Sequence, residues 1–515
     1  MVASDGASVT WTPPGEGAWE YDPIHFPGPV PRSVQAALAS GLSRGLAAAF
    51  DHDGRPLLTM VVRYVNDIMY SRIELGDGAT RGSDSNATAF DDERWRDDVD
   101  RWFRELRPAR LGRNTALQAA DPATLTGDEL GAHLRELVSN IDEAMFEHIA
   151  LSRADNAVGA LLIAADEWKL PTADVLALLA GASPGSALAA ESVAAIRALL
   201  GGESVRSLDD ARARGHDVAK AIDDHLRQFG WWIIDGYGPC GPTLAEHPEL
   251  LTRSLNADHS ARATNTDVLL DALVARVGSD RDRFLHLLDD ARLAYGVRDD
   301  NEGPTILWPM GLMRRGLFAA SDRLLASDHL HDRDDVFVLD VDELATLLQG
   351  GDAPTASEIA GRVTRWAELG GPPATLGERV QQPEPDAALA PTFAAFDAAW
   401  AAQFSPGTEQ GIGIGTTPYR GPARVCATAA EAIDTLQAGE VLVTTTTNSA
   451  FNMVLGLAGA LVTEYGGPTS HAALVARELG IPSVIGVPQA TVRFVDGQII
   501  EVDPVTASVR VIDPN

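Results

Sequence analysis

Lysine is nearly missing: the 515 residues contain only Lys169 and Lys220. Neither follows a glycine, so a GxxxxGK[ST] phosphate loop is excluded. Cysteine is equally scarce. Cys240 and Cys426 cannot build a disulfide framework or a four-thiolate zinc site, and they point to a reducing compartment. Long apolar runs are also lacking; the longest, around Phe451 to Val462, falls short of the roughly 20 residues a membrane helix needs. The opening residues MVASDGASVTWTPPGEG have no basic n-region and no apolar h-region, so a soluble, cytoplasmic protein is expected. Positive charge is short as well, with 41 Lys+Arg against 73 Asp+Glu and a net charge of −32. Such a field repels phosphate backbones and anionic lipid, which excludes nucleic acid and membrane surfaces as primary partners.

What is present is an ordinary globular composition, 45% apolar, in a chain long enough for two to four domains at roughly 150 residues each. The first 30 residues read as an ordered, extended arm, because Trp11, Trp19, Tyr21 and Phe26 need somewhere to pack. From Pro31 the pattern turns helical. Thr126-Gly-Asp-Glu129 is a capping box, followed by Leu130, Leu134, Leu137, Ile141, Met145 and Ile149 on one face. Helices are predicted over Ala187–Leu200, Ser207–Gln228, Asp267–Tyr295 and Thr305–Leu325, with a strand at Val336–Leu339. Proline-rich segments at Gly371-Pro-Pro, Gln382-Pro-Glu-Pro-Asp386 and Ser405-Pro-Gly407 mark a connector. The expected division is a mainly α-helical domain over 1–370, the connector with a short helix over 371–407, and an α+β domain over 408–515. Strands are predicted at 423–427, 441–446, 459–462, 483–486 and 498–502, interrupted by a helix from His471 to Leu479.

That helix carries the chemistry. In Gly466-Gly467-Pro-Thr469-Ser470-His471 the glycines permit a tight turn and close backbone approach, and Thr469 or Ser470 supplies the N-cap. His471 then falls in the first turn, where free N–H groups and the helix dipole favour a phosphate. A neutral imidazole there is a competent nucleophile for a phosphoryl group. Val475, Ala476 and Leu479 form the buried stripe, with Arg477 and Glu478 facing outward.

GGPTSHAALVARELGIPSVIG resembles the phosphohistidine, or swivelling, domain of the phosphoenolpyruvate-utilizing enzymes. The resemblance covers about Gly407 to Asn515 and includes Gly421-Pro-Ala-Arg-Val425 and Gly439-Glu-Val-Leu-Val443. It implies a β/β/α domain in which His471 carries a phosphoryl group between two sites. Thr469 and Ser470 stand with it in the catalytic turn, and Gly466, Gly467 and Arg477 are candidates for holding phosphate. The donor site of such enzymes is normally an ATP-grasp domain or a TIM barrel; neither is legible here, so the resemblance implies ATP and Mg²⁺ bound mainly by a separate ATP-grasp subunit. Residues from about Gly15 to Gln403 resemble, more distantly, the acceptor domain of the rifampicin-phosphotransferase type, and the split arrangement resembles phenylphosphate synthase. The resembling pieces are Trp19 to Pro27, Tyr237 to Glu249, Arg298 to Glu302 and Asp334 to Glu343. His25 and Arg298 thereby become acceptor-binding candidates. The chain departs from those relatives in reading Tyr237-Gly-Pro-Cys-Gly241, and in having Glu302 where a lysine is expected.

Arg314 shares the apolar stripe of its helix with Leu307, Met310 and Leu317, so it needs a carboxylate or phosphate partner. A structural ion pair and an acceptor-binding role both answer that need. His148 reads as a core or edge histidine, and Asp299, Asp300 and Glu302 as a solvated acidic turn rather than a metal loop. The threonine run Thr444–Thr447 reads as strand, with hydroxyls that could sit near His471. The function expected is a phosphotransferase subunit passing phosphate from His471 to a small molecule. The alternatives are phosphorylation-driven elimination, reduction or condensation, or a non-catalytic phosphocarrier.

Overall fold

The computed structural model describes residues 9–512 except 24, 53, 77–78, 80–93, 180, 183, 257–265, 380–388, 397–410, 448–450 and 468–469. It is an α+β multidomain architecture, with a large helical region followed by a β-rich C-terminal domain. The N-terminal arm is a strand, β1 (Trp19–Tyr21), in a four-stranded sheet with β2 (Leu58–Val65), β3 (Ile68–Leu75) and β4 (Thr375–Leu376), in the order β2-β3-β1-β4. Trp19 and Phe26 are buried, as the arm's aromatics require. The hairpin β2–β3 was not expected from the sequence. It turns at Asn66 and Asp67, both with positive φ (53° and 62°), the geometry of a two-residue turn matched to strand twist.

Helix α1 (Arg32–Ala49) crosses α2 (Gly127–Ala150) at close range. A Cβ on Gly41 would lie 2.6 Å from the Met145 Cβ, and one on Gly45 2.7 Å from the Ile149 Cβ, so the two glycines set the helix separation. The capping box that starts α2 is formed as predicted, with the Thr126 N–H donating to Glu129 at 2.7 Å. Helix α3 (Pro184–Leu199) ends at Gly201 and Gly202, both with positive φ.

Three expectations are corrected. Ser207–Gln228 is two helices, Leu208–Arg212 and His216–Phe229, broken where Gly215 takes φ 156°. Val336–Leu339 is not a strand: Arg333–Val338 form a 3-10 helix begun by an Asp332 capping box, so its β-branched residues fill the core without a ladder. The stretch expected to break near Asp300 is continuous. Helix α4 (Arg281–Glu302) runs through a π-helical turn, Gly303–Leu307, into α5 (Trp308–Ala326). Pro304 has no N–H to give the helix, and the wider turn absorbs that loss.

The C-terminal domain is a seven-stranded sheet of β5 (Ile412–Ile414), β6 (Tyr419–Cys426), β7 (Val441–Thr444), β8 (Ala460–Thr463), β9 (Ser483–Ile485), β10 (Ile499–Asp503) and β11 (Ser508–Val511). The order is β11-β10-β6-β7-β8-β9-β5; β6, β7, β8 and β9 are parallel and the outer pairings antiparallel. Helix α6 (His471–Glu478) connects β8 to β9. The expected boundary at 407/408 and much of the connector lie outside the described residues. Apolar residues join the two regions: Phe229, Ile234, Leu244 and Leu250 share one core with Leu442, Phe451 and Ala472. Arg253 donates to the Leu436 carbonyl at 3.0 Å across the same junction.

Candidate functional site

Strand β8 delivers the chain to Gly466, whose φ of 133° and tight surroundings exclude a side chain: a Cβ there would lie 2.7 Å from the Ile485 side chain and 2.9 Å from the Ser470 Oγ. The Gly467 carbonyl accepts from the Ser470 hydroxyl at 2.9 Å. Ser470 is the N-cap of α6, accepting from the Ala473 N–H at 3.3 Å, and His471 is therefore the first helical residue. Thr469 lies outside the described residues. The threonine run leaves β7 at Thr444, and the last of the four, Thr447, brings its Oγ1 to 2.9 Å from His471 Nδ1.

The other ring nitrogen, Nε2, is buried and has no hydrogen-bond partner among the described residues. An unpaired buried N–H is costlier than an unpaired acceptor, so the proton is assigned to Nδ1, donating to Thr447, and Nε2 keeps its lone pair. Burial drives the imidazole pKa down to about 3, which keeps the ring neutral at physiological pH. The fixed tautomer and the neutral ring are what a nitrogen nucleophile requires.

His471 opens into a cavity of about 100 Å³ whose remaining walls come mostly from the helical region. Leu111, Ala189, Ile234 and Leu307 make it largely apolar, with Arg107, Asp300 and Glu302 as the charged residues at its edge. A larger cleft, about 980 Å³, lies between α1 and the N-terminal sheet and contains none of the predicted site residues.

Asp300 is the residue that sequence reasoning misjudged. It is 3% exposed, not part of a solvated turn. Its Oδ2 accepts from Trp102 Nε1 and Arg107 Nε, each at 2.8 Å. Both partners are almost 200 positions away in sequence, so no local pattern announced the burial.

His25 and Arg298 do fall in one neighbourhood. His25 Nδ1 lies 2.6 Å from Asp22, and its ring packs 5.1 Å from that of Tyr237. Burial pulls the His25 pKa down, but Asp22 and Glu302 outweigh that and Arg298, so the net shift is upward. The Tyr237 hydroxyl donates to Glu302, tying this group to the cavity edge. His148 belongs here too: it pairs with Asn301, and burial, with Arg298 and His25 nearby, drives its pKa down to about 4. Arg298 stands 3.9 Å from Asp155 and is about half exposed.

Two arginines are elsewhere. Arg314, a candidate acceptor-binding residue, is committed to structure: Nε and Nη2 clasp Glu246 at 2.8 and 3.0 Å, and Nη1 donates to the Cys240 carbonyl at 2.8 Å. Its guanidinium also covers the Phe318 ring at 4.1 Å. The stripe arginine has a carboxylate partner. Arg477, expected to face outward, is 8% exposed, because α6 docks against the helical region. Burial lowers its pKa to about 10 against the opposing influence of Tyr295 and Asp174.

Residues 436–507 match the family described as PEP-utilising enzyme, mobile domain. Over 307 residues the chain is 27% identical to a rifampicin phosphotransferase of Streptomyces sviceus, covering 56% of this chain and 34% of that one. Over 181 residues it is 36% identical to an uncharacterized protein of Mycobacterium tuberculosis, covering 35% of this chain and 19% of the other. A 92-residue stretch is 45% identical to a phosphoenolpyruvate synthase of Pyrococcus furiosus, 18% of this chain and 11% of that enzyme. The chain thus spans about a third or less of the length of these relatives.

Proposed function

We propose, from the premise that residues 436–507 form a mobile domain of the PEP-utilising enzymes, that this chain carries phosphate on His471 and delivers it to a small molecule held by the helical region. One observation carries the reading: His471, whose neutral Nε2 has no hydrogen-bond partner among the described residues, lines a cavity walled by that other region. A phosphoryl group on Nε2 would sit at the N-terminus of α6, where the helix dipole favours it. The presence of a cavity, rather than a collapsed core, supports an enzyme over a non-catalytic carrier. Phosphoryl transfer is then mostly positioning and charge stabilisation, with His25 and Arg298 as candidates at the acceptor side.

The phosphoryl donor in this reading is ATP with Mg²⁺, bound by a separate ATP-grasp subunit. Among the described residues no cluster of three His, Cys, Asp or Glu side chains is placed to hold a metal. No helix among them is long and apolar enough to cross a membrane.

The test is to incubate the full chain with labelled ATP, with and without a candidate ATP-grasp partner. Acid-labile, base-stable label should appear on His471 only with the partner and be lost in His471→Ala. Label persisting in that variant would sink the assignment, and label without a partner would refute the separate donor.

A further inference from the structure

Three residues lining the cavity each carry a buried polar atom with no hydrogen-bond partner among the described residues: His471 Nε2, Asp300 Oδ1 and Trp232 Nε1. Orphaned buried polar atoms are rare and costly, and three around one cavity of about 100 Å³ need a common explanation. They are also complementary, being a nucleophilic nitrogen, a carboxylate oxygen and an N–H donor. Resting on the phosphohistidine reading above, we infer that Asp300 and Trp232 form the subsite for the acceptor hydroxyl. Asp300 is the base that takes its proton, and Trp232 is a donor to the transferring phosphoryl group.

The surroundings hold both side chains in place. Trp102 and Arg107 grip Asp300 through Oδ2 alone, which leaves Oδ1 for a substrate. Gly185 packs so closely on the same residue that a Cβ there would lie 2.6 Å from the Asp300 Cα and 2.8 Å from Oδ1. The Trp232 ring is seated against Gly303, where a Cβ would approach its edge to 2.1 Å. In the step itself the acceptor oxygen attacks phosphorus and its proton passes to Asp300 Oδ1. The P–Nε2 bond breaks with its electron pair returning to Nε2, so His471 leaves as neutral imidazole with its proton still on Nδ1, donated to Thr447 Oγ1.

The same walls define the acceptor's class. Arg107 is already paired with Asp300, and Asp300 and Glu302 are acidic, so a further negative charge on the acceptor, beside the phosphoryl group, would meet repulsion. The apolar remainder suits a small hydrocarbon body. A cavity of about 150 Å³ accommodates benzene, so this smaller one excludes aromatic alcohols and takes only a compact, uncharged aliphatic alcohol.

The experiment loads the full chain at His471 with potassium phosphoramidate, confirms the site by peptide mapping, and follows discharge by ³¹P NMR with methanol, ethanol, glycerol or lactate added. Methanol or ethanol should speed loss of the N–P signal and produce an O–P signal, while glycerol and lactate should not. In Asp300→Asn, compared at equal phosphohistidine content, that acceleration should fall about a hundred- to ten-thousandfold. Trp232→Phe, which leaves Asp300 and its partners untouched, should lose about a hundred- to a thousandfold. Wild-type discharge rates in either folded variant, or no acceleration by either small alcohol, would overturn the subsite. Failure of the wild-type chain to accept phosphate on His471 would instead overturn the phosphohistidine reading on which it rests.

Discussion

Replacing Thr447 by valine isolates what one hydroxyl does for the histidine. The two side chains are nearly isosteric, and Thr447 is buried, so the change removes little besides the 2.9 Å contact with His471 Nδ1. Without it the imidazole has two choices: keep a buried Nδ1–H unpaired, or move the proton to Nε2 and block the lone pair that attacks phosphorus. An unsatisfied buried donor costs about 1–3 kcal/mol, which corresponds to a five- to 150-fold slower phosphorylation. The assay is the rate of His471 labelling in the full chain. ¹⁵N NMR of the ring reports the tautomer independently and should shift toward Nε2–H in the variant. A Thr447→Val protein labelled within twofold of the wild-type rate, with an unchanged tautomer, would refute the claim that this contact prepares the nucleophile.

Arg314→Ala should destabilise the fold by about 3 kcal/mol through loss of a structural pair, since Glu246 is partly exposed, and so lower the melting temperature, while the folded fraction loads and discharges phosphate normally; Arg298→Ala should instead load normally and discharge about a hundred- to a thousandfold more slowly. Limited proteolysis should cut between Gly371 and Gly407 and release a stable C-terminal fragment, and a resistant connector would count against a domain that moves. Acid should destabilise the chain: burial lowers the pKa of His471 to about 3 and of His148 and His225 to about 4, so below the unfolded value of 6.5 the unfolded chain binds more protons. That contribution is fully present above pH 6.5 and is lost as pH falls toward 4 and 3; a melting temperature equal at pH 7 and pH 5 would contradict it.

The parts of this molecule that could be read in its sequence are those specified by neighbours in the chain. Ser470 caps α6 and Thr126 caps α2 because the capping partners are three residues away, and the C-terminal strands announce themselves as short β-branched runs between turns. Thr447 was within reach of the same reasoning, since a threonine run following a parallel strand ends at the sheet edge where α6 begins. Asn66-Asp67 between two alternating runs was a legible hairpin signal that the helical pattern around it obscured. Arg314 shows where local reasoning stops: its stripe position demanded a partner, and only the fold could name Glu246. Asp300 lay beyond local reasoning altogether. Its acidic neighbours suggest solvent, and its burial depends on Trp102 and Arg107 folding against it from far along the chain.

The π-helical turn at Gly303–Leu307 acts as a register shim in a helix that otherwise runs from Arg281 to Ala326. Each residue of an α-helix turns the next by about 100°, and a π turn accommodates one residue more than an α turn would. Upstream of the shim lies the face carrying Asp300; downstream lies the face of α5, anchored by Arg314 and buried in the helical core. Deleting a single residue from the turn would restore plain α-helix and rotate the upstream face by about 100°, carrying Asp300 away from His471 while leaving α5 in place. One surplus residue thus lets a single rod satisfy two angular requirements at once, that of the core it is bolted to and that of the cavity it serves.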